Sequence, residues 1–409
     1  MKKIMTICAA LLVAAGLCAK EPMTDLTRRV FELAKTQFTS MDARLAADRM
    51  PVTFENGKVN DGKIESWTSG FFPGSLWYVY EYTRDPEVLE LAWKETRKLS
   101  DIVSRKTHHD IGFQVNSSFG NAYRLTGDQA CLDVMKQAAS KLSTRFNPTV
   151  GCTKSWDGKE PRWLFPVIVD NMMNLELLMA TYRLAGGEMF KQIACTHANT
   201  TMKNHFRQDY STYHVVSYDP QSGKVQCKET AQGFSDESCW SRGESWALYG
   251  YTMMYRETKD PAYLDQARNI AEYTIRMLPK DGIPEWDFNA PGTRHAFDMS
   301  AKGAPSPKKY KYSKGDKVYR DSSAGAIIAS ALIELSTFTS GKESRKFKQT
   351  AETILRTLAS PEYLSSPGEN GDFLLKHGVT NLHGWSGVDI PLTYADYYFL
   401  EALLRYQAL

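Results

Sequence analysis

Tyr255-Arg-Glu-Thr-Lys-Asp-Pro261 is a polar turn between two helical stretches. Asp260 followed by Pro261 marks a helix start, because Asp caps well and the first helical position tolerates a missing N–H. Beyond it, Tyr263, Ala267, Ile270, Tyr273, Thr274 and Met277 recur at steps of three and four, which is amphipathic helix. The same punctuation returns at Tyr82-Thr-Arg-Asp-Pro86, Tyr123-Arg-Leu-Thr-Gly-Asp128 and Tyr182-Arg-Leu-Ala-Gly-Gly187, and in degenerate form at Thr337-Phe-Thr-Ser-Gly-Lys342. Segments before the turns, such as Val167 to Leu184, are apolar on nearly every side, as buried helices are. Each unit therefore pairs an inner, buried helix with an outer, half-exposed one.

Extending this reading along the chain places helices at about 25–46, 71–83, 86–104, 115–126, 129–145, 167–185, 188–204, 242–257, 261–278, 322–338, 343–358 and 391–407. These twelve helices make six hairpins. The expected class is all-α, an (α/α)6 toroid in which the hairpins close on themselves; an open solenoid is the alternative. The long connections 146–166, 205–241, 279–321 and 359–390 are rich in Trp, Tyr, Gly, Asp and His. Long loops in a compact domain usually carry function. Tyr213-His-Val-Val-Ser-Tyr218 has strand-forming composition and is expected over one mouth of the toroid.

The N-terminus is read separately. Met1-Lys2-Lys3, the apolar run Ile4 to Leu17 and then Cys18-Ala19-Lys20 follow the order of a secretory signal, with cleavage expected after Ala19. The run is shorter than the roughly 20 residues of a membrane span. Residues 20–409 then read as a single catalytic domain of an exported, periplasmic protein, with a lipid anchor at Cys18 as the alternative. Lys+Arg 50 against Asp+Glu 47 gives +3, and removing Lys2 and Lys3 leaves +1. That balance argues against a nucleic-acid footprint, which needs a clustered basic surface. Cys131, Cys152, Cys195, Cys227 and Cys239 remain after cleavage, with no metal-like spacing. A Cys227–Cys239 disulfide is one reading and buried thiols the other.

Asp170 interrupts Phe165-Pro-Val-Ile-Val169 ahead of Asn171-Met172-Met173. A carboxylate at the start of a buried helix is paired, neutral or functional, and burial raises its pKa toward that of a general acid. Asp110 follows His108 and His109 at another helix entry. Each acid also reads as a helix cap; two acids at the mouths of successive inner helices point more strongly to paired-carboxylate sugar chemistry. Arg242 and Trp246 stand one turn apart in Cys239-Trp-Ser-Arg-Gly-Glu-Ser-Trp246, as a guanidinium fork and a stacking ring for a carboxylated sugar would, or as a helix-start ion pair beside a core Trp. Trp67, Trp156 and Trp163 lie in turn-rich sequence and suit sugar platforms or plain packing. His214 lies among strand formers, where structural histidines are common. No phosphate loop, HExxH or GxSxG is present.

Taken in order, Ser66-Trp-Thr-Ser-Gly-Phe-Phe-Pro-Gly-Ser-Leu-Trp77, His109-Asp-Ile-Gly-Phe113, Val169-Asp-Asn-Met-Met-Asn-Leu175, His214, Gln232-Gly233, Trp240-Ser-Arg-Gly-Glu-Ser-Trp-Ala-Leu-Tyr-Gly250, Asp321-Ser-Ser-Ala324 and Asp389 to Leu400 make the chain resemble the unsaturated glucuronyl hydrolases, glycoside hydrolase family 88. The resemblance spans essentially all of 20–409. It implies the (α/α)6 toroid and a substrate ending in a 4,5-unsaturated uronic acid, the product of polysaccharide lyases. It implies hydration of the vinyl ether rather than attack at the anomeric carbon. Asp170 then donates a proton to C4 and takes one from the water added at C5, with Asp110 assisting. By the same resemblance Trp67, Trp156, His214, Gln232, Arg242 and Trp246 hold the substrate, and no metal or cofactor is implied. Lys376, His377 and Asn381 are candidates for reading a sulfate or hydroxyl on the second sugar. The alternatives are an unsaturated rhamnogalacturonyl hydrolase, an exported sugar-binding protein without catalysis, and a toroidal lyase.

Overall fold

The turns share one geometry. The backbone N–H groups of Arg84, Gly127, Gly186 and Lys259 each donate to a carbonyl four residues back, on Tyr80, Tyr123, Tyr182 and Tyr255, at 2.8 Å. Arg84, Gly127 and Lys259 sit in the left-handed region, where the chain turns and a C-terminal carbonyl is satisfied. An aspartate then opens the next helix: Asp85, Asp128 and Asp260 accept from the N–H groups of Glu87, Ala130 and Ala262. At Gly186-Gly187 no side chain caps, and two positive-φ glycines make the turn.

In a computed structural model, residues 20–106, 108–157, 161–308, 317–384 and 386–409 are described. The expected signal, 1–19, lies outside them. The described residues form helices α1 (Met23–Arg44), α2 (Phe71–Thr83), α3 (Pro86–Arg97), α4 (111–126), α5 (Gln129–Ser143), α6 (Asn171–Ala185), α7 (Glu188–Asn204), α8 (Ser241–Thr258), α9 (Pro261–Met277), α10 (Ser322–Phe338), α11 (Gly341–Leu358) and α12 (Thr393–Gln407). A π-helical segment, Asn116–Gly120, interrupts α4. No helix among the described residues is long and apolar enough to cross a membrane.

Helices α2, α4, α6, α8, α10 and α12 form the inner ring, each packed on the next, and α12 returns to pack on α2. This is the expected (α/α)6 toroid. The ring is pinned by Glu401 of α12, which accepts hydrogen bonds from Tyr78 of α2, Tyr249 of α8 and Ser330 of α10. Outer helices such as α11 bury one apolar face, Phe347, Ala351, Ile354, Leu355 and Leu358, against the ring. Across the middle, Phe71, Phe113, Trp246 and Tyr398 form an aromatic floor with ring centroids 5.3–5.9 Å apart.

Short turns close one mouth and long connections cover the other. The long connections carry the strands: β1 (Met50–Glu55) with β2 (Lys58–Gly62), β3 (Phe146–Asn147) with β4 (Cys152–Thr153), the antiparallel order β5 (Phe165–Ile168), β6 (Val215–Tyr218), β7 (Val225–Glu229), and β8 (Gly378–Asn381) with β9 (Ser386–Ile390). Three sequence readings are corrected here. The helix expected from 167 begins at Asn171, because Phe165-Pro-Val-Ile168 is a strand paired with Val215–Tyr218. Pro166 and the β-branched Val167 and Ile168 favour that form once a partner strand exists. The helix expected to reach 104 ends at Arg97, and only Ile102–Ser104 resumes a turn. The Cys227–Cys239 disulfide is not formed: all five described cysteines are free.

Candidate active site

The inner helices point their N-termini at the mouth covered by the long connections, and the candidate residues sit on those ends. Asp110 and Asp170 immediately precede α4 and α6, Arg242 is in the first turn of α8, Asp321 caps α10 and Tyr394 opens α12. Six helix N-termini facing one mouth give it a positive potential suited to an anionic ligand.

Asp170 occupies the cap position of α6 without capping it. Its Oδ2 is buried with no hydrogen-bond partner, and His214 Nε2 lies 3.7 Å from it. Burial pushes the Asp170 carboxyl up to about 7, and the charge of Asp110 adds to the rise; Arg242 and the Trp246 indole pull against it. Burial alone would also raise Asp110, but His109 and His108 beside it win and hold it below the usual carboxylate range. His108 Nδ1 and His109 Nε2 lie 3.1 and 3.3 Å from Asp110 Oδ2. Burial pushes His109 itself down to about 4, so near neutral pH it serves Asp110 as a dipole rather than a cation. The two acids are thus driven apart: one holds its proton near neutrality and the other does not.

His214 is buried, and burial pushes its imidazole down to about 3. Its Nδ1 receives the backbone N–H groups of Ala231 and Gln232 at 3.2 and 3.3 Å. An Nδ1 that accepts leaves the ring proton on Nε2, which faces Asp170. The ring lies 4.4 Å from Trp240.

Of the two readings of Arg242, the structure shows the helix-start ion pair beside a core Trp. Its guanidinium lies over Trp240 at 4.6 Å and Tyr394 at 5.5 Å rather than beside Trp246. Nη1 donates to Asp321 Oδ2 at 2.7 Å and to the Val379 carbonyl, and Nη2 donates to the Thr380 carbonyl at 2.9 Å. A side chain in the first turn leans back toward the helix N-terminus, where Trp240 and the Asp321 cap await it. Trp246 is 1% exposed and forms part of the floor. Gln232 Nε2 donates to the same Thr380 carbonyl at 2.8 Å, so α8 and the 230–234 loop both grip the β8–β9 hairpin.

Trp67 is half-buried at the mouth, 4.9 Å from Tyr394 and 5.7 Å from Phe113. Trp156 pairs edge-on with Trp163 at 5.5 Å and follows Ser155, whose hydroxyl donates to Asn171 next to Asp170. Of the second-sugar candidates, Lys376 Nζ donates to the Pro361 carbonyl and His377 pairs with Asp389 at 2.6 Å, so these two are engaged within the protein. Asn381 Oδ1 accepts the Gly384 N–H at 3.3 Å. Sequence reasoning missed Trp240, Tyr394 and Asn174. Asn174 had a signal, since it stands one helical turn after Asp170 on the same face.

Most of the chain matches known proteins. It is 44% identical over 348 residues to an unsaturated glucuronyl hydrolase of Formosa agariphila, covering 84% of this chain and 81% of that protein. It superposes with a TM-score of 0.85 and 43% identity on a solved unsaturated glucuronyl hydrolase specific for heparin, covering 94% and 97% of the two chains. A Streptococcus agalactiae variant complexed with dGlcA-GalNAc6S gives 0.76 and 28%, over 95% and 93%. No family model matches the chain.

Proposed function

The chain belongs to the unsaturated glucuronyl hydrolases, and on that premise we propose that Asp170 is the proton donor and acceptor of the reaction and Asp110 its charged assistant. The enzyme is a glycosidase that releases a 4,5-unsaturated uronic acid from the non-reducing end of lyase-generated glycosaminoglycan oligosaccharides by hydrating the C4=C5 vinyl ether. The observation that carries the residue assignment is the Asp170 carboxyl, whose Oδ2 is buried and unpartnered and which is raised to about 7.

Protonating an alkene carbon requires a carboxylic acid that still holds its proton near neutral pH. The neutral Asp170 delivers that proton to C4, which breaks the π bond and leaves positive charge shared by C5 and the ring oxygen. The ionised Asp110 stabilises that charge. Water adds at C5, its proton returns to the Asp170 carboxylate, and the hemiketal opens to release the neighbouring sugar. His214 offers its Nε2–H beside Asp170. Arg242, fixed by Asp321, supplies positive potential for the uronate. Gln232, Trp67 and Trp156 complete the substrate-holding set, and Trp246 lies beneath it as floor, with its indole toward Asp170.

Incubation with unsaturated disaccharides in heavy water tests this route. The near-ultraviolet absorbance of the double bond should fall and deuterium should appear at C4; a product without deuterium there excludes it. The 43% identity to the heparin-specific enzyme, against 28% to the one holding dGlcA-GalNAc6S, supports heparin-type fragments as preferred substrates. Turnover of heparin-derived and chondroitin-derived unsaturated disaccharides side by side decides it. The basic and apolar N-terminal order supports export with cleavage after Ala19, giving a periplasmic enzyme. N-terminal sequencing of the mature protein checks that site, and a lipid-modified Cys18 would replace it with an anchor.

A further inference from the structure

Asn174 lies inside the site but has no role in the route above. It stands one turn along α6 from Asp170 and is 1% exposed. Its Oδ1 accepts the Phe113 N–H at 2.9 Å, and its Nδ2 lies 3.4 Å from Asp110 Oδ1 and 3.5 Å from the Asp170 carbonyl. Chemistry fixes the orientation. Phe113 N–H is one of the open amides at the start of α4, and only the amide oxygen can receive it, so the NH2 group faces the carboxylate. The packing is equally specific. A Cβ at Gly112 would come within 2.5 Å of Asn174 Oδ1 and 2.7 Å of its Cα, so a bare backbone at 112 is what lets α4 and α6 approach this closely.

From this geometry we propose that Asn174 is a positioning residue that locks Asp110, in its ionised form, against the start of the helix carrying Asp170. The inference rests on the roles given above to those two acids. An N–H donor stabilises a carboxylate and not its protonated form. Asn174 is among the groups that hold Asp110 down, and the Asp110 charge in turn helps Asp170 keep its proton. The other charged or titratable groups facing the pair are His108, His109 and Arg145 around Asp110, and His214, Arg242 and Tyr394 around Asp170. Asn174 differs from them in bonding the segments of both acids with one side chain.

The test is the pair Asn174→Asp and Asn174→Ser, measured beside Asp170→Asn on an unsaturated glycosaminoglycan disaccharide. Asn174→Asp keeps the shape and the acceptor for Phe113 N–H but turns a carboxylate oxygen toward Asp110, so a purely structural cap survives it and the positioning role does not. Expected is a fall in kcat of about ten- to a hundred-fold, from misplacement of the reacting groups. KM should move less than about three-fold. The acid limb should rise, because Asp110 becomes harder to ionise beside a second carboxyl. The alkaline limb should hold or rise, because the two carboxyls together keep at least one negative charge beside Asp170. Asn174→Ser, too short to reach Asp110, should also raise the acid limb, by removing a donor to the carboxylate; it decides the matter if Asn174→Asp does not fold. Wild-type kcat and an unmoved acid limb in a folded variant overturn the inference. Turnover retained by Asp170→Asn would instead overturn the acid assignment itself, so the two failures are separable.

Discussion

Asp170 holds its proton up to about pH 7 because burial outweighs the pull of Arg242 and the Trp246 indole, with Oδ2 shut off from water and unpartnered, while the neighbouring acid has histidines on both sides of it. An unpaired charge in such a place is costly, and the group answers by staying neutral. The sign of the pH dependence follows. Asp170 is raised to about 7, so activity is lost as pH rises through that value. Asp110 is lowered, so its ionisation fails only below the usual carboxylate range. A bell-shaped kcat/KM profile with its alkaline limb near 7 is expected, and the two limbs belong to the pair as a whole. Asp170→Asn should lower kcat by about a thousand-fold, within the usual range for loss of a general acid, with disaccharide binding by calorimetry retained. Asp110→Asn should move the alkaline limb of its residual activity to lower pH, since the charge that helps Asp170 is gone. An unmoved limb would mean that the two carboxyls do not interact.

Elements decide how closely those residues meet. Helix α4 reaches α6 through Gly112, and Gly70, just ahead of α2, meets α4 in the same way: a Cβ there would lie 2.3 Å from the Gln114 carbonyl oxygen. Backbone cannot yield as a flexible side chain can, so added volume must push the helices apart. Gly112→Ala should cost about 1–3 kcal/mol of stability by overpacking. It should also lower kcat more than KM changes, measured by thermal melting and steady-state kinetics. The repeated turns were legible in the sequence because a left-handed residue and an aspartate cap are local chemistry. The strand Phe165–Ile168 was not, because its apolar residues suit a buried helix equally and its partner, Val215–Tyr218, is remote in the chain. The same remoteness hid the fate of Arg242, whose partners Asp321, Val379 and Thr380 lie on other elements.

Across the whole molecule the two mouths divide the work. Beyond the aromatic floor, a cavity of about 720 Å³ opens at the short-turn end, lined by Arg124, Glu176, Arg256 and Arg405 among others. Its charges are paired: Arg256 binds Glu176 and Glu334, and Arg405 binds Glu334. Glu401 ties four inner helices at this end, so Glu401→Ala should destabilise by about 3–5 kcal/mol, as losing one partner of a buried polar network does. Its KM, measured below the melting temperature, should stay at the wild-type value; a raised KM would show that the ring closure reaches the catalytic mouth. By itself the sequence determined the helical hairpins, their number and inner–outer order, and the two acids at successive helix starts, because periodicity, caps and turns act over a few residues. Only the tertiary structure decided that Asp170 Oδ2 is left unpartnered while Asp110 Oδ2 has two histidines beside it, that Arg242 is held by Asp321, and that Asn174 spans both acids. Those facts depend on which helix ends meet across the closed ring, and segments tens of residues apart have no local signal to announce it.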